Sequence, residues 1–410
     1  HGDDLMDHCQ QYYFTTYSRR IYFMKNALLT SSIALAMGLF ANNVSAADLR
    51  VATFNVSMDA TNYAKKGEAI DKDALSKALA SNHQQIRNIA EIIQRVRPDV
   101  ILLNEFDYID ADKGINVFRK NYLQVSQNKQ VAIDYPYYFI SPVNTGLATE
   151  FDLDNDGVKE HYKGDAHGFG FFEGHYAMAV LSRYPIDLDK ARTLQTFKYK
   201  DMPNAQMPID PKTGKDWYSA EEWQAIHLSS KSFWDLPIDV KGKTVHLLAS
   251  HPTPPVFDGD EDRNGKRNHD EVRLIADYIN NANYIYDDKG QKGGLKAKSR
   301  FVIVGDLNAA PEGGKARPNT TDQILKNPLV NTSFTPTSKG AKESYKEDYA
   351  KNYTAYWQAR ADYVLPSNYG IEINDGGVFW PQKNSELFRL IKDRNASSDH
   401  RMVWLDISLK

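Results

Sequence analysis

The chain has 410 residues, of which 41% are hydrophobic and 25% are charged. This composition is ordinary for a globular protein with a sizeable core, and it excludes a disordered chain. The formal net charge is −3, so the chain lacks the basic excess that polyanion-binding proteins usually show. The length fits either one large two-sheet domain or two average domains.

The N-terminal 46 residues have the pattern of a leader that is removed on export. Lys25 follows Met24 and precedes an apolar run over residues 27–41, which ends shortly before Ala46. A basic start, a short apolar stretch and small residues at the cleavage point are the parts of a secretory signal. The alternative, a membrane span, needs about 20 apolar residues. We expect cleavage near Ala46, a secreted or periplasmic protein, and additional N-terminal sequence over residues 1–23.

Cysteine chemistry is excluded from the mature protein. The single cysteine, Cys9, lies in the leader, so the remaining chain has no thiol and no disulfide, which an oxidising compartment tolerates. Residues 47–410 contain no internal repeat, low-complexity tract or convincing linker. We therefore expect them to form one catalytic domain, without stable membrane insertion once the signal is removed, and to act as a monomer.

Short apolar runs rich in Val, Ile and Leu predict buried strands. In chain order they cover residues 49–56, 100–104, 178–181, 245–249, 301–304, 363–365 and 402–407. Residues 74–96 and 269–285 have helical spacing instead. Long polar segments over residues 107–173 and 198–243 interrupt this pattern, and we expect them to form surface excursions or part of a site wall.

Residues capable of chemistry stand at the ends of the predicted strands. They are Asn55, Glu105, His251, Asp306 and Asn308, which follow strands, and Asp362, Asp399 and His400, which precede them. Rigid strands commonly hold catalytic groups at their ends. Carboxylate and amide oxygens suit a hard divalent cation, which phosphoester hydrolysis needs together with a base for water. Singly, each residue is more often a turn or surface residue, but together they indicate one hydrolytic site.

The contexts of these residues resemble the endonuclease/exonuclease/phosphatase superfamily, which includes deoxyribonuclease I, exonuclease III, the neutral sphingomyelinases and the inositol polyphosphate 5-phosphatases. The matching stretches include LRVATFNV, RPDVILLNEFD, LLASHPTPP, FVIVGDLNAAP and SSDHRMVWLDI. The resemblance implies an α+β fold of the deoxyribonuclease I type. This fold is a four-layer α/β/β/α sandwich, in which two packed mixed sheets are flanked by helices.

The resemblance also implies a metal centre and a reaction. Glu105 would bind Mg²⁺, or Mn²⁺ or Ca²⁺ in its place, with Asn55 and Asp399 beside it. Asn55 would in addition lie close enough to contact the substrate. The implied reaction is metal-assisted in-line attack of water on phosphorus.

The remaining matching residues receive catalytic roles from the resemblance. Asp306 and Asn308 would orient the attacking water or hold the transition state. His400, paired with Asp362, would act as an acid or base or bind phosphate, and His251 would contact the scissile phosphate. A carboxylate behind an imidazole is chemically coherent, because it fixes the tautomer and raises the proton affinity of the ring.

Further basic residues are candidates for contact with an anionic substrate. His269 and Arg273 open the predicted helix that follows a proline-rich loop, and a helix N-terminus near an Arg can hold a phosphate. A plain capped helix is the alternative. Lys231 and Arg183 lie close to predicted strands, where each is either a substrate contact or a surface charge.

One acidic segment has the spacing of a calcium loop. Asp152, Asp154, Asp156 and Gly157 stand at the expected positions, but the twelfth position is Lys163 rather than Glu. The segment is therefore either a partial structural Ca²⁺ site or a solvated acidic turn.

The sequence predicts a secreted phosphatase or phosphodiesterase that acts on a small or medium organic phosphate. The alternative is an extracellular nuclease that cleaves DNA or RNA, for which local basic residues would offset the low net charge. A sphingomyelinase-like phospholipase would need exposed aromatic residues, for which 233–234 and 379–380 are candidates, although core packing also explains them. A catalytically inactive phosphate-binding module is a further alternative.

Overall fold

The structure is a computed structural model that describes residues 48–410, so the predicted leader, its cleavage point and Cys9 lie outside the described residues. Each apolar run that predicted a strand forms one. The strands are β1 (Leu49–Met58), β2 (Val100–Phe106), β3 (Tyr137–Phe139), β4 (Met178–Ser182), β5 (Arg192–Thr193), β6 (Phe233–Val240), β7 (Lys243–Ser250), β8 (Phe301–Asp306), β9 (Asp362–Pro366), β10 (Ile371–Val378) and β11 (Val403–Leu409).

The helices lie between these strands. They are α1 (Ala60–Tyr63), α2 (Ala74–Ala80), α3 (Gln84–Val96), α4 (Ile115–Phe118), α5 (Ala220–Ala225), α6 (Arg263–Ile279), α7 (Asp322–Leu325) and α8 (Lys339–Ser344). A π-helical turn covers Arg119–Leu123, and 3₁₀ turns cover Lys163–Asp165, Tyr199–Asp201, Asp348–Asn352 and Glu386–Leu390.

The strands form two mixed sheets. The first has six strands in the order β10-β11-β1-β2-β4-β3, and the second has five in the order β5-β6-β7-β8-β9. Each sheet contains one parallel pair, β1 with β2 in the first and β7 with β8 in the second. The other neighbours in each sheet are antiparallel.

The core lies between the sheets and beneath the outer helices. Side chains alternate between the two faces of a strand, and β8 shows the result. Val302 and Val304 join a cluster that also contains Phe54 from the first sheet. Ile303 points the other way, into a cluster with Val272 of α6. The predicted α/β/β/α sandwich is therefore confirmed, with α3 outside the first sheet and α6 outside the second.

Burial of an apolar face, more than helical propensity, holds α3 in place. Ile86, Ile89 and Ile93 are completely buried in the first cluster, and each such side chain contributes about 1.5–3 kcal/mol. The ion pair between Glu91 and Arg95 on the same helix is of a type that stabilises a helix by only about 0.2–0.5 kcal/mol. Packing against the sheet is therefore the larger contribution to the stability of α3.

Both predicted helices differ from the observed ones in their bounds. The segment 74–96 is divided into α2 and α3 at Asn82, whose φ is +53°, and His83 Nδ1 accepts a hydrogen bond from Gln85 N at the start of α3. Helix α6 begins at Arg263 and ends at Ile279. It therefore lies earlier in the chain than the periodicity of 269–285 predicted.

Within the part of the chain that the structure describes, no helix combines the length and apolar character that crossing a membrane requires. All of these residues belong to one compact unit.

Candidate active site

The chemically capable residues meet at one edge of the sandwich because of strand direction. Asn55 and Glu105 stand near the C-terminal ends of the parallel strands β1 and β2. Asp306 ends β8, directly opposite Asp362, the first residue of antiparallel β9. His251 follows β7, which is parallel to β8. Five chain segments from both sheets thus bring their polar residues to the same edge.

Asp306 is the centre of this cluster. Asn55 Nδ2 donates to Asp306 Oδ2 at 3.1 Å, and the same oxygen lies 3.3 Å from His251 Nε2 and 3.4 Å from His400 Nε2. Burial opposes ionisation of Asp306, but the charge of His400 and the hydrogen bonds from His251 and Asn55 outweigh it and lower the pKa of this carboxyl. Asp306 therefore stays ionised at neutral pH.

His400 has its own carboxylate partner. His400 Nδ1 donates to Asp362 Oδ2 at 2.8 Å, and Thr354 Oγ1 donates to the same oxygen at 2.7 Å. Burial alone would lower the pKa of His400, but the charges of Asp362 and Asp306 raise it well above its usual value. Burial also raises the pKa of Asp362 to about 6. At neutral pH the pair is accordingly an imidazolium and a carboxylate.

The residues beside Asp306 fit a divalent cation. Ligand atoms of Glu105, His251 and Asp306 lie within 4.8 Å of one another. Burial raises the pKa of Glu105 to about 8, and the negative charges of Asp59 and Asp399 add to this effect. Hard cations prefer such oxygen donors, and a bound cation would relieve the mutual repulsion. Glu105, with Asn55 and Asp399 beside it, is therefore a suitable place for the metal.

Backbone strain supports a special role for Glu105. Its φ is +56°, a left-handed conformation that costs a non-glycine residue of order 1 kcal/mol and that accumulates at functional sites. Ser57, which precedes α1, also has a positive φ of 48°. Its hydroxyl donates to Asp399 Oδ1 at 3.2 Å and so fixes a second carboxylate of the site.

Sequence reasoning missed a second buried carboxylate and histidine next to Glu105. Asp59 Oδ1 accepts from Thr61 N at 2.9 Å and lies 3.3 Å from His175 Nε2. Asp59 Oδ2 is completely buried and has no partner among residues 48–410. In the sequence, Asp59 reads as the cap of a short helix, which it also is. Its position shortly after Asn55 was the only feature of the sequence that could have placed Asp59 at the site.

The cluster forms the floor of a pocket of about 810 Å³. The walls include residues near positions 153–169, 253–267 and 309–315, together with Tyr218, Ile226 and Ser230. The polar segments 107–173 and 198–243 thus supply part of the wall, as the sequence allowed, whereas the loops near 253–267 and 309–315 were not predicted to do so. Arg263, Arg267, Lys315 and Arg394 also line the pocket, although no motif pointed to them.

Lys231 is the one predicted basic contact that lies in the pocket. The residue is 5% exposed, and burial lowers the pKa of Lys231, while the negative charges of Glu271, Glu105 and Asp306 act against this shift. Glu271 is engaged by the backbone N–H groups of Ser230 and Thr253, each at 2.7 Å. In the described structure Lys231 Nζ forms no hydrogen bond or close ion pair, so it is free to bind an anion.

His251 differs in charge from His400. Burial lowers the pKa of His251 to about 4, and the nearby positive charge of Lys231 adds to this effect. His251 Nδ1 is buried without a partner in the range 48–410, so no carboxylate supports the ring from behind. His251 is therefore neutral at pH 7.

The remaining predicted residues of the catalytic set also lie in the pocket. Asn308 and Asp399 line it together with His400. Asn308 Nδ2 donates to Pro252 O at 3.0 Å, and Asn308 N donates to Asp306 Oδ1 at 3.0 Å. These bonds fix the orientation of the amide next to Asp306.

Three predicted substrate contacts lie elsewhere, which corrects the sequence interpretation. Arg183 follows β4, which is antiparallel to β2, and its Nη1 lies 3.4 Å from Asp99 Oδ1 at the opposite edge of the sheet. His269 Nδ1 pairs with Gln206 Nε2 at 2.8 Å. Arg273 Nε donates to Asp277 Oδ2 at 3.3 Å. Neither His269 nor Arg273 lines the pocket.

The N-terminus of α6 is not an open phosphate site. His269 and Arg273 lie inside the helix rather than at its start. The first free backbone N–H groups, those of Asn264 and Gly265, donate to Asp258 Oδ2 at 2.8 and 3.3 Å. The carboxylate of Asp258 thus occupies the place that a phosphate would take.

The acidic loop retains both of its interpretations. Oxygens of Asp152, Asp154 and Asp156 lie within 4.8 Å of one another, while Gly157 N donates to Asp152 Oδ2 at 3.0 Å. At the twelfth position, Lys163 Nζ donates to Glu160 Oε1 at 3.0 Å. Structural Ca²⁺ at this loop stays a prediction.

The two-sheet sandwich carries an Asp–His pair, a second imidazole and clustered carboxylates at one edge, an arrangement that fits the class of metal-dependent phosphoesterases. A family model described as the endonuclease/exonuclease/phosphatase family matches residues 52–400. The chain belongs to this family. Its members are generally divalent-metal-dependent hydrolases that act on phosphoester bonds.

Solved structures with a similar chain path include several from this family. An endonuclease/exonuclease/phosphatase from Beutenbergia cavernae is 18% identical, with a TM-score of 0.47 over 88% of this chain and 71% of that one. The human nocturnin catalytic domain is 13% identical, with a TM-score of 0.42 over 88% and 94%. Sphingomyelinase C from Streptomyces griseocarneus is 16% identical, with a TM-score of 0.42 over 87% and 98%. A search of curated protein sequences gave no significant match.

Proposed function

We propose that this protein is a secreted, monomeric phosphatase or phosphodiesterase that uses a divalent metal ion, preferably Mg²⁺, to hydrolyse an organic phosphate. The observation that carries the proposal is the sharing of one oxygen, Asp306 Oδ2, among Asn55, His251 and His400. This arrangement places an ionised acceptor, a neutral imidazole and an imidazolium around one point in the pocket.

Hydrolysis forms a bond between water oxygen and phosphorus and breaks the bond from phosphorus to the leaving oxygen. The attacking water releases a proton to the solvent, and the leaving oxygen gains one from His400. When bound near Glu105, the metal ion neutralises negative charge on the phosphate oxygens. Asp306, being ionised, accepts a hydrogen bond from the attacking water and holds it in line.

His400 has the protonation state of an acid. Because Asp362 and Asp306 raise the pKa of His400, its Nε2 carries a proton at neutral pH and donates it toward the phosphate or the leaving oxygen. His251 is neutral, so it contributes a hydrogen bond without adding charge. The positive charge opposite the phosphate comes instead from Lys231, whose Nζ has no competing partner within residues 48–410.

An activity screen tests the proposal. The protein from Ala47 onward is assayed on phosphomonoesters, phosphodiesters and phospholipids with Mg²⁺, Mn²⁺ or Ca²⁺, and again with EDTA. We expect metal-dependent turnover that falls at least about 10²-fold in His400→Gln, while the matched control His269→Gln, outside the pocket, retains activity. Absence of turnover on every substrate with every metal would contradict the proposal. N-terminal sequencing of the exported protein tests cleavage after Ala46.

An extracellular nuclease is the second candidate, because five further Lys or Arg residues line the pocket, namely Lys163, Arg263, Arg267, Lys315 and Arg394. Plasmid nicking that is lost on Glu105→Gln would favour it. Of the aromatic residues that the lipid alternative named, Phe233, Trp234 and Trp380 are buried and Phe379 is partly buried, so these residues do not supply an exposed aromatic hairpin.

A further inference from the structure

The exposed Phe and Trp residues of the described chain line the pocket, whereas its exposed tyrosines do not. Within residues 48–410 three Phe or Trp side chains are exposed: Phe169 at 53%, Phe257 at 87% and Trp357 at 42%. All three line the pocket that contains Asp306. Single exposed apolar residues are normal on a protein surface, but a group of them around one polar site indicates contact with a ligand.

Trp357 is held next to the catalytic imidazole. Its ring meets the ring of His400 edge to face, with centroids 5.8 Å apart and an interplanar angle of 79°. The backbone around it is anchored by hydrogen bonds from Tyr356 N to Asp399 O at 3.0 Å and from Ala355 N to Ala359 O at 3.2 Å. Trp357 therefore presents a fixed aromatic surface beside the point where the leaving group departs.

The two phenylalanines are also held by ordered backbone. Gly168 N, directly before Phe169, donates to Asn144 O at 3.0 Å. Phe257 has a φ of +68°, and the residue before it is fixed because Asn264 Nδ2 donates to Val256 O at 2.8 Å. A strained backbone that displays an apolar ring toward the pocket is expected where the ring has a function.

The size and charge of the pocket limit the ligand to a small molecule. A volume of about 810 Å³ lies in the range of sites for small ligands. Six cationic side chains line the pocket: Lys163, Lys231, Arg263, Arg267, Lys315 and Arg394. The carboxylates of Glu105, Asp154, Glu160 and Asp399 line the same pocket. Two of the cations are already near carboxylates, since Arg263 pairs with Glu261 and Arg394 Nη1 lies 3.9 Å from Asp399 Oδ2. This mixture lacks the continuous row of cations that follows a nucleic acid backbone.

We infer that the preferred substrate is a small phosphoester that carries a planar aromatic ring, a chemistry shared by mononucleotides and aryl-substituted phosphates. This inference rests on the proposed function. The phosphate binds at His400 and Lys231, next to the water that Asp306 holds, and the ring packs against Trp357, Phe257 and Phe169. Stacking of a planar ring on aromatic side chains is sequence-tolerant and strong enough to change binding about tenfold.

Matched substrates test the inference. Adenosine 5′-monophosphate and ribose 5-phosphate have the same phosphoester and the same leaving oxygen, and they differ in the ring. Benzyl phosphate and cyclohexylmethyl phosphate differ in planarity. Each is assayed as the monoester and as its methyl diester with Mg²⁺. We expect kcat/KM to be about tenfold higher for adenosine 5′-monophosphate and for benzyl phosphate, the members with an aromatic ring, than for their partners. The pair with the larger ratio shows whether the preferred ring is that of a nucleoside or a simple aryl group.

Variants locate the ring. Trp357→Leu and Phe257→Leu keep an apolar side chain but remove the aromatic face, so we expect each to reduce the preference toward unity. Tyr369→Leu is the matched control, because Tyr369 is exposed at 46% and lies outside the pocket. All three positions are exposed, and we expect unchanged thermal unfolding in each variant.

The outcomes separate the two proposals. Equal kcat/KM within each pair, together with turnover of both members, would overturn the ring preference and leave the phosphoesterase proposal standing. Faster cleavage of plasmid DNA or of sphingomyelin vesicles than of adenosine 5′-monophosphate would also overturn the inferred substrate class. It would leave metal-dependent phosphoester hydrolysis standing. Absence of turnover on all of these compounds would overturn both proposals.

Discussion

Asn55 Nδ2 lies 3.1 Å from Asp306 Oδ2, and this hydrogen bond joins the two sheets at the edge where the site forms. Asn55 belongs to β1 of the first sheet and Asp306 to β8 of the second. A neighbouring buried amide repeats the connection, since Asp306 N donates to Asn104 Oδ1 at 3.2 Å. The geometry of the site therefore depends directly on the packing of one sheet on the other.

Removal of this link should damage both stability and catalysis. In Asn55→Ala, Asp306 loses a buried donor, so we expect the free energy of unfolding to fall by about 1–3 kcal/mol. Because Asn55 also lies beside Glu105, we expect weaker Mg²⁺ binding. Denaturant titration and calorimetry measure the two effects. The exposed residue Asn384 supplies the control Asn384→Ala, and equal behaviour of the two variants would contradict the assignment.

The Asp362–His400 pair should set the alkaline limit of activity. The folded pKa of His400 is raised, so its proton is present at neutral pH and is lost as pH rises through that pKa. Asp362→Asn removes the main raising charge, and we expect the alkaline limb of the kcat profile to move to lower pH while kcat falls about 10²-fold. An unchanged limb, checked against the NMR titration of His400, would show that the pair has no such role.

The metal-free protein should lose stability as the pH rises toward 8. The pKa of Glu105 is raised to about 8, so above its ordinary pKa the folded state retains a proton that the unfolded chain has released. The contribution of Glu105 is therefore present at low pH and is lost as pH rises, by at most about 1.4 kcal/mol per pH unit.

Magnesium should reverse this loss, because it replaces the proton on Glu105. We expect the rise in melting temperature on adding Mg²⁺ to be larger at pH 8 than at pH 6, and Glu105→Gln to abolish the difference. Thermal unfolding at both pH values, with and without EDTA, measures it. A magnesium effect that is the same in the variant and the native protein would place the ion elsewhere.

Lys231 should act on the anion rather than on the fold. Loss of a charged hydrogen bond to phosphate costs about 1.5–3 kcal/mol, so we expect Lys231→Met to raise the Ki of inorganic phosphate at least tenfold. Its melting temperature should change little, because Lys231 Nζ forms no bond within the part of the chain described. Lys383→Met, on the surface, is the control. A large loss of stability with an unchanged Ki would indicate a structural lysine.

Much of the fold was predictable because its buried strands are continuous apolar runs, such as 301–304 in β8. Strand β6 was missed because Asp235, Pro237 and Asp239 interrupt the apolar pattern. Proline is tolerated there because only the β7 side of β6 is paired along its length. The other side meets β5 at its beginning and the short segment 185–187 around Pro237, where Pro237 O accepts a hydrogen bond from Asp187 N at 2.9 Å. Period-two alternation of Trp234, Leu236 and Ile238 was the signal that was present but unused.

The site was predictable where local context carried the information, as around Asp306 and His400. Arg183 was misplaced because a sequence does not state that β4 runs antiparallel to β2, which sends its C-terminal end to the opposite edge. Trp357 and Phe257 were missed for a different reason. Whether an aromatic residue in a loop is buried or exposed depends on tertiary packing, and the sequence pattern does not predict this packing.

Metal-dependent turnover by residues 47–410 is the decisive measurement for the proposed function. Phosphate or alcohol release from the substrate panel is measured with Mg²⁺ and with EDTA, for the native protein and for Glu105→Gln. The account predicts turnover with Mg²⁺ that disappears in EDTA and in the variant. Turnover that persists at the same rate in EDTA and in Glu105→Gln, or no turnover of any phosphoester, would contradict it.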